Sequence, residues 1–163
     1  MKDFTIREIV EYAEKIEAES HKFYVKAAEM IKEPDTKNLA FDLAEEETRH
    51  FNHLRDLLNK ERLTSLELDI VVSKGIDLLN RTVKTAEITE DSDPIDILEV
   101  ALEREINTEE LYKMYLTFTN LPDNVVKVFE DLRSQEIGHQ NRIKTLIKKI
   151  TGKCLNYMKS EKV

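Results

Sequence analysis

The feature that most constrains this chain is a pattern written twice. Glu17 precedes Tyr24 by seven residues, and Glu47-Thr48-Arg49-His50 follows; Glu105 precedes Tyr112 by seven residues, and Glu136-Ile137-Gly138-His139 follows. A Pro-Asp pair breaks each copy at the matching place, Pro34-Asp35 and Pro122-Asp123, with a single residue of offset between that break and the Glu-x-x-His unit. A Glu and a His at i and i+3 share one helix face. Leu43, Leu54 and Leu57 lie on the stripe that carries Glu47 and His50, so that face is directed into a core. Four carboxylates and two imidazoles buried as bare charges would be prohibitively costly. They become compatible with burial when they surround two divalent cations, whose charge the four carboxylates neutralise.

The helical frame follows from spacing and punctuation. Only three Gly and three Pro occur in 163 residues, which favours a few long helices over many short strands. Thr5-Ile6-Arg7-Glu8 has a capping-box pattern and opens a helix expected over about residues 5–32. Pro34-Asp35 opens a second, Ser92-Asp93-Pro94 a third and Leu121-Pro122-Asp123 a fourth, with Gly152 as its stop. Short joints make helices one and two, and helices three and four, antiparallel hairpins. Residues 62–92 are long enough to run the length of a bundle and rich enough in Ile, Leu and Val for part of them to pack as a helix. Two hairpins joined by one long crossover make an all-α, ferritin-like four-helix bundle. It is expected over 1–152, with 153–163 as a C-terminal tail.

Composition excludes several alternatives. A 36% charged and 40% hydrophobic chain fits one globular domain. The net charge of −8 argues against a nucleic-acid footprint or a basic membrane-binding face. Cys154 is the single cysteine, so no intrachain disulfide and no CxxC metal pair can form; it is read as a lone structural or tail thiol. The acidic, amphipathic start, MKDFTIREIVEYAEK, lacks a signal peptide's apolar stretch, and no apolar run suits a membrane span. The expectation is a cytoplasmic protein.

With Glu17-x6-Tyr24, Glu47-x2-His50, Glu105-x6-Tyr112 and Glu136-x2-His139, the sequence resembles the rubrerythrin-type di-iron proteins of the ferritin-like superfamily. The resemblance implies a carboxylate-bridged iron pair, with manganese suited to the same donors. It makes Glu17 and Glu105 terminal ligands and Glu47 and Glu136 bridging ones, with His50 and His139 binding one iron each. Tyr24 and Tyr112 would orient carboxylates; read without the resemblance, they are core aromatics. It also implies hydrogen peroxide or dioxygen as oxidant, and homodimerisation. Two departures stand out. Thr108 occupies the place of a further family Glu, with Ser20 as its counterpart, and no cysteines are present for a rubredoxin-like domain, which makes the electron donor an external protein.

The remaining polar residues take plainer readings. His21 and His53 have no matching partner in the other half and are read as surface residues, and Glu45 and Glu46 as exposed charges. Gly138, costly inside a helix, either opens room beside the metals or lets a neighbouring helix approach. Function stays open among peroxide reduction, iron handling or ferroxidase chemistry without turnover on peroxide, and a helical scaffold that holds no metal.

Overall fold

The computed structural model describes residues 3–59, 61–73 and 85–152. In chain order the elements are β1 (Phe4–Thr5), α1 (Ile6–Met30), α2 (Pro34–Leu57), α3 (Ser65–Leu68), β2 (Val71–Ser73), α4 (Pro94–Tyr115) and α5 (Asp123–Thr151). The four long helices fall where the punctuation predicts. At the head of α1 the Glu8 amide donates to Thr5 Oγ1 at 3.3 Å and the Thr5 amide to Glu8 Oε2 at 2.9 Å, a complete capping box. Asp93 and Asp96 cap α4 in the same way, with Pro94 in the first turn. Glu33 caps α2 by accepting from the Asp35 and Thr36 amides. Each such cap is worth about 1 kcal/mol. Gly152 ends α5 in the left-handed region at φ 66°, its amide bonding the Lys148 carbonyl at 2.8 Å.

α1 packs along α2 and α4 along α5 as two antiparallel pairs, and thinner contacts of α2 with α5 and of α1 with α4 close the bundle. The core is split in two along the bundle axis. One cluster gathers Ile9, Ala13 and Ile16 from α1, Leu54 and Leu57 from α2, Leu111 and Tyr115 from α4, and Phe129 and Leu132 from α5. The other gathers Ala27 and Ile31, Ala40 and Leu43, Ile97 and Leu102, and Ile143 and Ile147 from the same four helices. Between them, every helix has buried polar side chains at the same height: Glu17 and Ser20, Glu47 and His50, Glu105 and Thr108, Glu136 and His139. The described parts of the crossover reach both clusters. Leu63, Leu68 and Val72 join the first cluster and Ile88 the second.

Part of this segment is helical, the four-residue α3, capped by a Thr64–Glu67 box, but a strand in it was not expected. The β-branched stretch Ile70-Val71-Val72 is instead extended, and β2 pairs antiparallel with β1, aligning Thr5 with Val71. Ile6 donates to the Ile70 carbonyl at 3.0 Å, so the crossover is fastened to the start of α1. Any helix within 74–84, the expected tail 153–163 and Cys154 lie outside the described residues.

Candidate metal centre

The six acidic and imidazole residues that the repeat singled out meet in the polar layer, each 0–2% exposed. Their ligand atoms fall into two sets, each gathered within 4.8 Å: Glu17, Glu47, His50 and Glu136, and Glu47, Glu105, Glu136 and His139. Glu47 and Glu136 belong to both. The His50 and His139 rings stack at 5.3 Å between centroids and 11° between planes. His50 Nδ1 lies 3.0 Å from Glu136, 3.3 Å from Glu47 and 3.5 Å from Glu17. His139 Nδ1 lies 3.0 Å from Glu105 and 3.4 Å from both Glu47 and Glu136.

Proximity does not satisfy these atoms. Glu17 Oε2, Glu47 Oε1, Glu136 Oε1 and His50 Nδ1 are buried without an aligned hydrogen bond. Buried polar groups are rarely left in that state, and four such atoms facing one another are what a cation between them would satisfy. Oxygen and imidazole donors in this proportion suit iron or manganese and do not separate the two. The donor set fits a pair of divalent cations.

The close packing of these buried groups shifts their proton affinities. Burial, reinforced by the charge on Glu47, pushes the Glu17 carboxyl up to about 8. Burial and the charges of Glu105 and Glu47 push Glu136 well above the usual range. Burial works against Glu47 too, but the nearness of His139, His50 and Glu17 outweighs it and holds that carboxyl below its ordinary value. Burial by itself would lower both imidazoles; the close approach of three carboxylates to each raises them instead.

Tyr24 and Tyr112 do more than fill the core. The Tyr112 hydroxyl donates to Glu17 Oε1 and the Tyr24 hydroxyl to Glu105 Oε1. The bonds cross, each tyrosine holding the lone carboxylate of the opposite hairpin. Burial, then the neighbouring carboxylates, keeps both phenols well above their normal range and therefore protonated donors. Thr108 is buried where a further ligand was in question, and its hydroxyl donates to the Arg104 carbonyl at 3.0 Å. Its counterpart Ser20 accepts from Arg104 Nη2 at 3.2 Å, and that guanidinium lies 5.0 Å from the Phe23 ring.

Two surface assignments are corrected. Glu46 is partly buried rather than an exposed charge: its Oε2 accepts from His139 Nε2 at 2.7 Å, and its Oε1 from Arg142 Nη1 at 2.7 Å. The reason is its place on α2, where it faces α5 across the interface between hairpins. His21 is half-buried, its Nδ1 within 2.9 Å of the Ala44 carbonyl and 3.1 Å of Thr48 Oγ1, so it ties α1 to α2 and belongs to neither ligand set. His53 and Glu45 are exposed, as expected. Gly138 fills neither role considered for it, since a Cβ there would meet nothing within 4 Å. Gln135 was overlooked: its Oε1 lies 3.2 Å from His50 Nε2. Gln135 precedes Glu136 as Glu46 precedes Glu47, but with Glu46 read as an exposed charge that register carried no signal.

Comparison with known proteins adds one match. The Rubrerythrin family model matches residues 2–92, which span the first hairpin and the crossover. No curated protein and no solved structure matches the chain. Glu105, Glu136 and His139 lie beyond the matched span, and the repeat and the geometry of the polar layer are what join them to Glu17, Glu47 and His50.

Proposed function

Because this chain belongs to the rubrerythrin family, we propose that it is a di-iron protein that reduces hydrogen peroxide with electrons from an external donor. The observation that carries the proposal is the pair of four-residue ligand sets sharing Glu47 and Glu136. Glu47 and Glu136, common to both sets, would help hold both cations, while Glu17 with His50 and Glu105 with His139 would each serve one. When bound, the metal pair supplies the two electrons that, with two protons, convert hydrogen peroxide to two molecules of water.

The chain's own residues have distinct tasks. Tyr112 and Tyr24 fix the carboxylates of Glu17 and Glu105, so that ligand geometry is set by the protein before the metal arrives. The Nε2 contacts with Gln135 and Glu46 leave Nδ1 of each imidazole for the metal. The apolar clusters on either side keep the layer poor in water.

A second reading, iron handling without turnover on peroxide, draws support from Thr108. Its hydroxyl is committed to the Arg104 backbone and it offers no carboxylate where rubrerythrins carry a further Glu. Metal analysis and a peroxide assay separate the two. Metal-free protein loaded anaerobically with Fe(II) is expected to retain two irons per chain and, once reduced, to consume hydrogen peroxide. Retention of iron without peroxide consumption would favour iron handling, and failure to retain iron would remove both readings. Glu47→Ala, which takes a donor from both sets, is expected to abolish stoichiometric loading.

A further inference from the structure

The repeat makes the two ligand sets equivalent, but their surroundings are not. Both imidazoles turn Nδ1 toward the carboxylates and have an oxygen at Nε2. These two supporting oxygens come from corresponding positions, and they cross: Glu46 on α2 supports His139 on α5, and Gln135 on α5 supports His50 on α2. One is a carboxylate at 2.7 Å, the other a neutral amide at 3.2 Å. A charge-assisted hydrogen bond is shorter and about twice as strong as a neutral one. A carboxylate behind a ligating imidazole also raises its basicity and hence its hold on a cation.

Glu46 is built to keep that charge in place. Its second oxygen accepts from Arg142 Nη1 at 2.7 Å, and Arg49 approaches the same oxygen at 3.8 Å. Arg142 is shared with Asp42, which takes its other arm at 3.2 Å, so the two arginines and two carboxylates balance and both arginines hold Glu46 by Oε1, leaving Oε2 as the carboxylate oxygen that faces His139. Among the described residues no such network stands behind His50: Gln135 is exposed, and its amide nitrogen reaches the Asp131 carbonyl at 3.5 Å. Gln135 can orient its imidazole as Glu46 does. What it cannot supply is charge.

We propose that Glu46 is a positioning residue that makes the two metal positions unequal: the one formed by Glu47, Glu105, Glu136 and His139 binds a divalent cation more tightly and fills first, ahead of the one formed by Glu17, Glu47, His50 and Glu136. The inference rests on the dinuclear reading above. It extends that reading from how many ions are held to the order in which they enter.

The test is titration of metal-free protein with Co(II), followed by calorimetry and by the visible absorption of the bound ion. The unaltered protein is expected to fill in two steps separated by more than the statistics of identical sites. Glu46→Gln, which keeps size and removes charge, is expected to weaken the tighter step by about 10- to 100-fold and bring the two together. Gln135→Glu is expected to strengthen the weaker step, a gain that no loss of folding can imitate. Glu105→Gln should abolish the tight step and Glu17→Gln the weak one; the reverse assignment would overturn the proposal. Two ions bound with one shared affinity, or Glu46→Gln leaving both steps unchanged, would overturn it while leaving the dinuclear centre standing. Protein that binds no Co(II) at all would overturn both.

Discussion

Glu17 shows how far a single side chain can be moved by its surroundings. It is fully buried, one of its oxygens takes the Tyr112 hydroxyl, and the other has no aligned partner. Phe in place of Tyr112 removes the donor and leaves the first oxygen unpaired as well. Tyr112→Phe is therefore expected to lower the stability of the metal-free protein by about 1–3 kcal/mol, measured by denaturant unfolding; no change would mean that the bond to Glu17 contributes nothing. The same carboxyl gives a pH signature. Its affinity for a proton rises on folding, from the ordinary 4.5 to about 8. Between those values the folded chain holds a proton that the unfolded chain has lost, so stability falls as pH rises. The raised imidazoles act in the same direction above their ordinary 6.5. Glu47 acts oppositely, but its contribution is complete above 4.5. Thermal melts of the metal-free protein are thus expected at lower temperature at pH 8 than at pH 5, and a flat or rising trend would contradict this proton inventory. At this scale, residue type and register were enough to find the six clustered side chains. The crossing of the tyrosine bonds was not legible, because it depends on how one hairpin docks on the other.

Among the elements, the helices were the most legible because their ends are written in local chemistry: Thr5 with Glu8, Asp93 with Pro94, and Gly152. The crossover was least legible. Its extended stretch depends on an edge supplied by Phe4 and Thr5, far away in sequence, and periodicity cannot register such a pairing. Gly138 gives the element-scale prediction. It lies in mid-helix on the exposed side of α5, where an added methyl group meets nothing within 4 Å. Gly138→Ala is expected to stabilise the protein by about 1 kcal/mol through helix propensity alone and to leave metal stoichiometry unchanged. A destabilised variant would point to a close approach not seen here. Glu46 and Gln135 belong at this scale too. Each reads as one more polar residue on its own helix, and only the packing of α2 against α5 turns them toward the opposite histidines.

For the whole molecule, the polar layer is a fault line in an otherwise apolar core. Two hydrophobic clusters are separated at mid-height by four carboxylates and two imidazoles. Metal removal is therefore expected to be felt globally. A ligand that binds only the folded state adds about 2.7 kcal/mol at a hundred times its dissociation constant. Fe(II)-loaded protein should unfold at a correspondingly higher denaturant concentration than chelator-treated protein, and coincident curves would mean that the layer is stable without a cation. The bundle was legible from the repeat, since two like hairpins and one long joint leave few other arrangements. Its division into two half-cores was implicit in the same repeat, because each helix carries its polar pair between two apolar runs.

The crossed contacts carry a consequence for ancestry and symmetry. Exchanging the two halves exchanges the two ligand sets and the two tyrosine bonds, and the antiparallel placing of α1 and α4 is what a two-fold axis across the bundle would produce. One hairpin with a Glu-x6-Tyr and a Glu-x-x-His could in principle build the same centre by pairing with a second copy of itself. Such a pair would have to place the same side chain behind both histidines. Joining two hairpins in one chain lifts that obligation, and the Glu46–Gln135 difference is a distinction that two identical hairpins could not carry.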